Sequence, residues 1–302
     1  MTNTAILLIL LSAFLHVGWN ILSKHEYPTA SFFMLANFLG CFLFIPVVVN
    51  YWQLYLTLLP YVWLYVIITG WFLALYFASL AKMLQSGDLS TSYPLLRASP
   101  VILVVFISFL LGNGEGISLQ CIVGILLVVI GCFLIPMQGI RDIDIKNYLN
   151  QTSGFALLAA LGSVGYSMID DHALKILRAI DSTDLSNFDL TVLYAFSQAV
   201  TTTLWLLLFV LSTREHRTEL SRTFHSQKRK AALTGVMIYI TYTLVLISMA
   251  SVKNVSYVVA FRNLSIPLSA IAGFFILGEK CHRPKIVGIS ILLAGLFLVS
   301  TG

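Results

Sequence analysis

Apolar residues run along this chain in blocks of roughly twenty, each closed by a short polar break, and ten such blocks follow one another from end to end. A block of that length lets an α-helix cross a hydrocarbon layer of ~30 Å at ~1.5 Å per residue. Strands in an open arrangement would leave backbone N–H and C=O groups unpaired in lipid, so the blocks predict helices. They fall at 5–24, 31–50, 60–82, 89–111, 117–137, 153–173, 189–212, 231–250, 255–277 and 284–301. Trp, Tyr and Pro gather at block ends, as in Tyr51-Trp52 and Pro60-Tyr61, where amphipathic rings meet headgroups. The predicted fold class is all-α, a polytopic membrane protein of ten transmembrane helices. The first block carries His16 and Asn20 and has no basic stretch ahead of it, so it reads as a retained helix and not as a cleaved signal.

The pattern is said twice. Ile122-Val123-Gly124-Ile125 recurs as Ile286-Val287-Gly288-Ile289, and at the same shift of 164 residues Glu115, Gly131 and Phe133 match Glu279, Gly295 and Phe297. Leu111-Gly112 matches Leu277-Gly278, and Arg97 falls close to the equivalent of Arg262. Ala13, Val17, Gly18 and Trp19 line up with Ala160, Val164, Gly165 and Tyr166 at a shift of 147. Such self-similarity divides the chain into two five-helix repeats, 1–137 and 153–302, joined by a linker at 138–152. An odd number of helices per repeat inverts one half relative to the other, as in many secondary transporters.

Polar residues at membrane depth are costly and face a bundle interior or a wet cavity. Ser12, His16 and Asn20 form one line down helix 1, and its repeat, helix 6, carries Ser163, Ser167, Asp170 and Asp171 on a similar face. These are either interhelical hydrogen bonds or contacts to a substrate. Helix 4 sets Ser90, Tyr93 and Arg97 at i, i+3, i+7 with Pro94 and Pro100 around the arginine, which predicts a kinked or opened helix. Helix 9 repeats the plan with Asn254, Tyr257, Arg262, Asn263, Ser265 and Pro267. An arginine at membrane centre costs at least ~2.5–3.5 kcal/mol on insertion scales, so each needs a partner. Two partners are open: an internal ion pair with Asp170 or Asp171, or an anionic ligand, since the guanidinium fork suits carboxylate, phosphate or phosphonate. Gly124/Gly131 and Gly288/Gly295 predict close helix pairing, and Glu115 and Glu279 read as loop carboxylates. Cys41, Cys121, Cys132 and Cys281 lack metal spacing and read as small buried hydrophobes; no metal and no cofactor is expected.

Composition supports this frame: 58% of the 302 residues are hydrophobic, 10% are charged, and mean hydropathy is +0.90. That is far from a soluble domain, in which about a quarter of residues are charged. Of the eighteen Lys and Arg, thirteen fall in the loops after helices 1, 3, 5, 7 and 9. The longest such stretch is the basic loop at 213–230. The other face holds Lys175, Arg178 and Lys253. The positive-inside rule then places the basic loops in the cytoplasm and both termini outside, in a cell (inner or plasma) membrane whose anionic lipids are partners of those loops. Nucleic acid is not an expected partner, and the protein is expected as a monomer or homodimer.

Ten spans in two five-helix repeats, each with a Leu-Gly-(x)-Glu turn before a Gly-rich last helix, resemble the drug/metabolite transporter superfamily of EamA type over the whole chain. The resemblance implies a basket-like bundle whose central cavity is lined by helices 1, 3, 4, 6, 8 and 9, with no ATP-driven machinery. His16-x-x-Trp19-Asn20 and Tyr166-x-x-x-Asp170 are similar to a subset linked to phosphonate utilisation. Two features depart from the family: no basic residue follows Glu115, and members are commonly drawn with cytoplasmic termini.

The function expected is a secondary transporter, exporter or exchanger, that moves a small polar or anionic metabolite such as an amino acid or an organic phosphonate or phosphate by alternating access. Arg97, Arg262, His16, Asn20, Trp19, Asn263 and Ser167 would contact substrate and Tyr93 and Tyr257 would orient it, with Asp170, Asp171 or His16 exchanging a proton. A multidrug-type exporter of apolar or cationic compounds would instead rely on aromatics such as Trp19, Trp71 and Tyr76. An intramembrane enzyme acting on a lipid-linked substrate would use Asp170-Asp171-His172. The further acid that a prenyl-transfer motif needs near 174 is absent, Leu174 standing there, and no Gly-x-Ser-x-Gly or His-Glu-x-x-His pattern is present, so the chain is not expected to be an enzyme.

Overall fold

The structure is a computed structural model that describes residues 2–24, 29–85, 89–112, 114, 117–137, 150–180, 185–269, 271 and 283–302, leaving aside the side chains of 20–24, 89–93 and 215. The described residues of the predicted spans are largely helical. Helices α1 (Asn3–Lys24), α2 (Ala30–Gly40), α3 (Ile45–Asn50), α4 (Trp52–Gln85), α5 (Leu89–Leu110) and α6 (Leu119–Leu134) make the first half. The second half holds α7 (Gln151–Arg178), α8 (Asn187–Leu211), α9 (Arg214–Ser226), α10 (Lys228–Ser248), α11 (Val255–Phe261) and α12 (Arg283–Thr301). Six helical stretches are long and apolar enough to cross a membrane, and Asn3–Trp19, Pro94–Leu110 and Leu119–Leu134 are shorter apolar helices. Side-chain caps start several of them: Thr29, Ser118, Asn150, Ser186 and Asn254 each accept a backbone N–H of the following turn.

Three expectations are corrected. The block expected as one helix at 31–50 is interrupted by a 3₁₀ turn, Cys41–Phe44, between α2 and α3. Helix 4 is not opened at its prolines: α5 stays α-helical through Pro94 and Pro100. The opening occurs in its repeat, where α11 gives way to a 3₁₀ turn at Arg262–Leu264. Pro267 explains that position, because its ring displaces the carbonyl four residues earlier, at Asn263. The basic loop at 213–230 is largely a helix: Thr213 caps α9 and Ser31 Oγ donates to the His216 carbonyl at 2.9 Å, fixing α9 beneath α2 while Arg214, Arg217 and Arg222 stay exposed. Glu115, Glu279, Cys281 and most of the linker at 138–152 lie outside the described residues.

The halves pack as a two-fold axis requires. Helices α6 and α12 cross antiparallel on their glycines: a Cβ added to Gly124 would lie 2.7 Å from the Gly295 carbonyl oxygen, and one on Gly295 would lie 2.6 Å from that of Gly124. Gly131 meets the Gly288 carbonyl in the same way, at 2.8 Å. Each glycine thus meets the other helix at the repeat of its partner, the reciprocity of an isologous interface. A shift of 165 residues takes Ala36 to Thr201 and Gly70 to Gly235, and Gly235 sits on Ala36 as Gly70 sits on Thr201. Gly18 faces Met237 as Gly165 faces Phe72. Each half is also shared between two bundles: α1, α2 and α10 pack together with the Arg262 turn, and α4, α5, α7 and α8 form the other bundle. Between these bundles runs a seam, with the chain's N-terminus on one face and α9 on the other.

Because backbone lies against backbone at the α6–α12 crossing, Gly124→Ala or Gly295→Ala should destabilise the protein by ~1–3 kcal/mol through overpacking. Gly154→Ala, with nothing within 4 Å of its added Cβ, should be neutral or slightly stabilising. Thermal unfolding of the detergent-solubilised variants checks this; equal midpoints for all three would contradict the crossing.

Candidate binding site at the seam

Helical spacing sets His16 and Trp19 on one face of α1, and Trp19 Nε1 donates to His16 Nδ1 at 3.0 Å with the rings edge-on. The Arg97 guanidinium reaches over from α5 to His16 Nε2 at 2.7 Å. The repeat rebuilds this group in α7: Ser163 Oγ donates to Tyr166 OH at 3.3 Å, and Arg262 Nη2 donates to the same hydroxyl at 3.0 Å. Ser163 and Tyr166 are the 147-shifted equivalents of His16 and Trp19, and Arg97 and Arg262 differ by 165. Arg262 Nη1 lies 3.5 Å from Ser167 Oγ, and its guanidinium stands 5.7 Å from the Tyr166 ring and 5.6 Å from the Tyr242 ring, within cation–π range. Asn263 Nδ2 donates to the Arg97 carbonyl at 3.2 Å and so joins the two arginine-bearing segments.

His16 is over-supplied with donors. Trp19 Nε1–H and the Arg97 guanidinium can only donate, whereas a neutral imidazole offers one acceptor nitrogen. One of the two contacts therefore sets donor against donor, an arrangement that an anion between His16 and Arg97 would turn into charge-assisted hydrogen bonds.

Asp170 is buried and collects four groups on two oxygens. Thr69 Oγ1 at 2.6 Å and Tyr194 OH at 2.7 Å reach Oδ1; Gln198 Nε2 at 2.8 Å and Tyr242 OH reach Oδ2. Thr69 also accepts from Gln198 Nε2 at 3.1 Å, which leaves its own proton for Asp170. The carboxylate is a structural acceptor that joins α4, α7, α8 and α10. Asp171 turns away and pairs with Lys175 at 2.6 Å. Neither acid forms the internal ion pair considered for Arg262, which meets Asp170 only through Tyr242.

Three small cavities adjoin the guanidiniums, of about 30, 20 and 40 Å³, each room for one or two waters. Arg262 lines all three; Arg97 lines two, as does His16. Apart from the Asn263 amide, the walls are otherwise apolar, aromatic or hydroxyl-bearing, among them Trp19, Tyr76, Phe77, Tyr166 and Tyr242, and no carboxylate of the described residues lines any of them. A larger recess of about 650 Å³ opens toward the N-terminal face between α5, α7 and α11, above Arg97, Arg262 and Asn263.

Of the sequence-predicted residues, the structure brings Arg97, Arg262, His16, Trp19 and Asn263 together, with Ser167 at the edge. Asn20 lies in α1 and Tyr93 in α5, but their side chains are outside those described. Tyr257 points elsewhere, its hydroxyl 3.4 Å from the Ser118 amide at the start of α6. Trp71 is 44% exposed on the outer surface of α4. The sequence reading missed Tyr242, Tyr194, Gln198 and Thr69. Tyr166 was legible as the repeat of Trp19; nothing in the spacing marked the other four. Among the described residues no three His, Cys, Asp or Glu side chains converge as a metal site.

Residues 3–137 match the model of the EamA-like transporter family. The EamA-like half thus supplies Arg97, His16 and Trp19, and the second half repeats its plan. A solved crystal structure, titled only as that of a protein, matches the fold with a TM-score of 0.65 at 13% identity, covering 100% of this chain and 98% of its own. At that identity the likeness concerns fold alone. No curated protein sequence matches the chain. With its long apolar helices, the protein is a multi-pass membrane protein.

Asp170→Asn places an amide N–H₂ among four donors and should lower stability by ~3 kcal/mol or more, as breaking a buried, hydrogen-bonded charge does. Asp171→Asn removes a part-exposed pair and should cost less than ~1 kcal/mol. Thermal unfolding in detergent compares them, and equal effects would remove Asp170 from its structural role.

Proposed function

We propose that the protein is a secondary transporter that moves a small anionic metabolite by alternating access, with the anion held between Arg97 and Arg262. One observation carries this reading: two guanidiniums from opposite repeats face adjoining chambers whose described lining holds no carboxylate. A cationic drug would meet two fixed positive charges there, and the ammonium of a zwitterion would find no charged partner, so the site favours organic phosphates, phosphonates or carboxylates over amino acids and cationic compounds. Arg97 and His16 would bind from the first half, and Arg262 with Tyr166 from the second. Trp19 holds the imidazole, and Asn263 holds the Arg262 turn against α5. Of the three candidates for proton exchange, only His16 lines the chambers. The chambers are too small for a metabolite, which corresponds to a closed form between the two openings. The exposed basic residues of α9 support a cytoplasmic position for that face.

Purified protein in liposomes should exchange a labelled organic anion across the membrane. Each of Arg97→Ala and Arg262→Ala should weaken binding about ten- to a hundredfold, the loss of one charge-assisted contact of ~1.5–3 kcal/mol. Arg→Lys at either position should recover only part of it, because the planar fork is lost. Wild-type exchange in both alanine variants would remove the site assignment.

A further inference from the structure

We infer that Tyr242 is a polar tie that closes the N-terminal side of the seam, and that the α9 side is closed by the apolar pair Phe33 and Phe77, so that the two openings are held shut by unequal chemistry. The meaning of an opening rests on the transporter reading; the two closures are geometry.

Thr69, Asp170, Tyr194 and Gln198 all stand on helices of one bundle, α4, α7 and α8, and Tyr242 comes from α10 in the other. Of the four bonds to Asp170, the one from Tyr242 alone crosses the seam. The 165-residue shift that relates Gly70 to Gly235 takes Phe77 to Tyr242 and Phe33 to Gln198. In the first half these positions again meet across the seam: Phe33 of α2 stacks on Phe77 of α4 with centroids 5.0 Å apart and planes at 29°, both rings buried. The position matching Asp170 is Ser23. The pseudo-two-fold therefore relates a hydroxyl–carboxylate bond on one side to an aromatic stack on the other.

Their levels differ as closures must. Asp170 and Tyr242 lie in the last turns of α7 and α10, which end at the N-terminal face. Phe33 opens α2 and Phe77 is near the end of α4, both toward the α9 face. On the N-terminal side the 650 Å³ recess reaches Met168, Ile169 and Asp171, the level of Asp170 itself. Tyr242 also touches the site: its ring lies 5.6 Å from the Arg262 guanidinium and 5.3 Å, edge-on, from Tyr166. An anion that draws Arg262 off this ring acts directly on one of the side chains that tie the bundles; the other on this side is Arg178 of α7, whose Nη2 donates to the Leu246 carbonyl of α10 at 3.2 Å, one turn beyond Tyr242. A hydroxyl–carboxylate bond is directional and fails once the donor turns away, whereas stacked rings tolerate sliding. Tyr242 is thus a positioning residue that couples occupancy at Arg262 to release of the N-terminal side.

The test is accessibility from each side. In a background with Cys41, Cys121, Cys132 and Cys281 replaced, Ser163→Cys places a thiol on the chamber wall, and a membrane-impermeant thiol reagent is added to either face of sided vesicles. Tyr242→Phe, which copies the first-half residue, should raise labelling from the N-terminal face about fivefold, the population change that follows loss of one hydrogen bond, and leave the other face unchanged. Phe77→Ala should do the reverse. Tyr242→Leu, carried in parallel, repeats the measurement if the phenylalanine variant is poorly made. Unchanged labelling in the Tyr242 variants, equal increases from both faces, or an N-terminal increase in Phe77→Ala would each overturn the inference. No transported solute is needed, so failure to find an exchanged anion leaves this measurement standing, and a failed measurement leaves the anion reading standing.

Discussion

Two part-buried guanidiniums inside the helix bundle are the constraint to which the rest of the structure answers. Arginine does not lose its proton in a protein, so neither charge can be neutralised in place. Each must be compensated by dipoles, aromatic faces or a partner. Around Arg262 the chain provides Tyr166, Ser167 and the ring of Tyr242; around Arg97 it provides His16. Among the described residues, Asp170 stands behind Tyr242 from Arg262, its two oxygens shared by four donors. Around Arg262 the positive charge is thus met by hydroxyls and aromatic faces and not by a carboxylate of the described residues.

The pseudo-two-fold makes that preparation economical and also shows where it has been altered. Glycines at the α6–α12 crossing bring backbones into contact and set the axis, so that a residue and its repeat occupy equivalent places on opposite sides. Where the copies agree, as at Arg97 and Arg262, the features face one central space. Where they differ, as at Phe77 and Tyr242, the two faces of the molecule differ in how they are held. A symmetric scaffold with unequal closures can favour one opening over the other without any change to the central charges.

Much of this was legible in the chain. The span pattern gave helices because lipid admits no unpaired backbone, and the repeat implied related halves because five crossings invert a copy. His16, Trp19, Arg97 and Arg262 stood out because polar atoms at that depth are too costly to be incidental. The helix break was placed at the wrong proline pair: Pro94 and Pro100 are accommodated in α5, and Pro267 coincides with the 3₁₀ turn at Arg262. The stretch at 213–230 read as a loop because charge density alone does not reveal the Thr213 cap or the bond from Ser31 that hold it as a helix.

Sequence by itself determined the class of solvent, the helical spans, the repeat and the presence of two arginines within apolar spans, because each follows from composition or period along one chain. Tertiary structure decided which acids meet which donors. Asp170 and Asp171 are neighbours in sequence yet point to different partners, since one helical step turns a side chain by ~100°. The partners of Asp170 come from residues 69, 194, 198 and 242, and no local pattern announces a meeting between positions so far apart; only the packing of α4, α7, α8 and α10 brings those hydroxyls and that amide onto a single carboxylate.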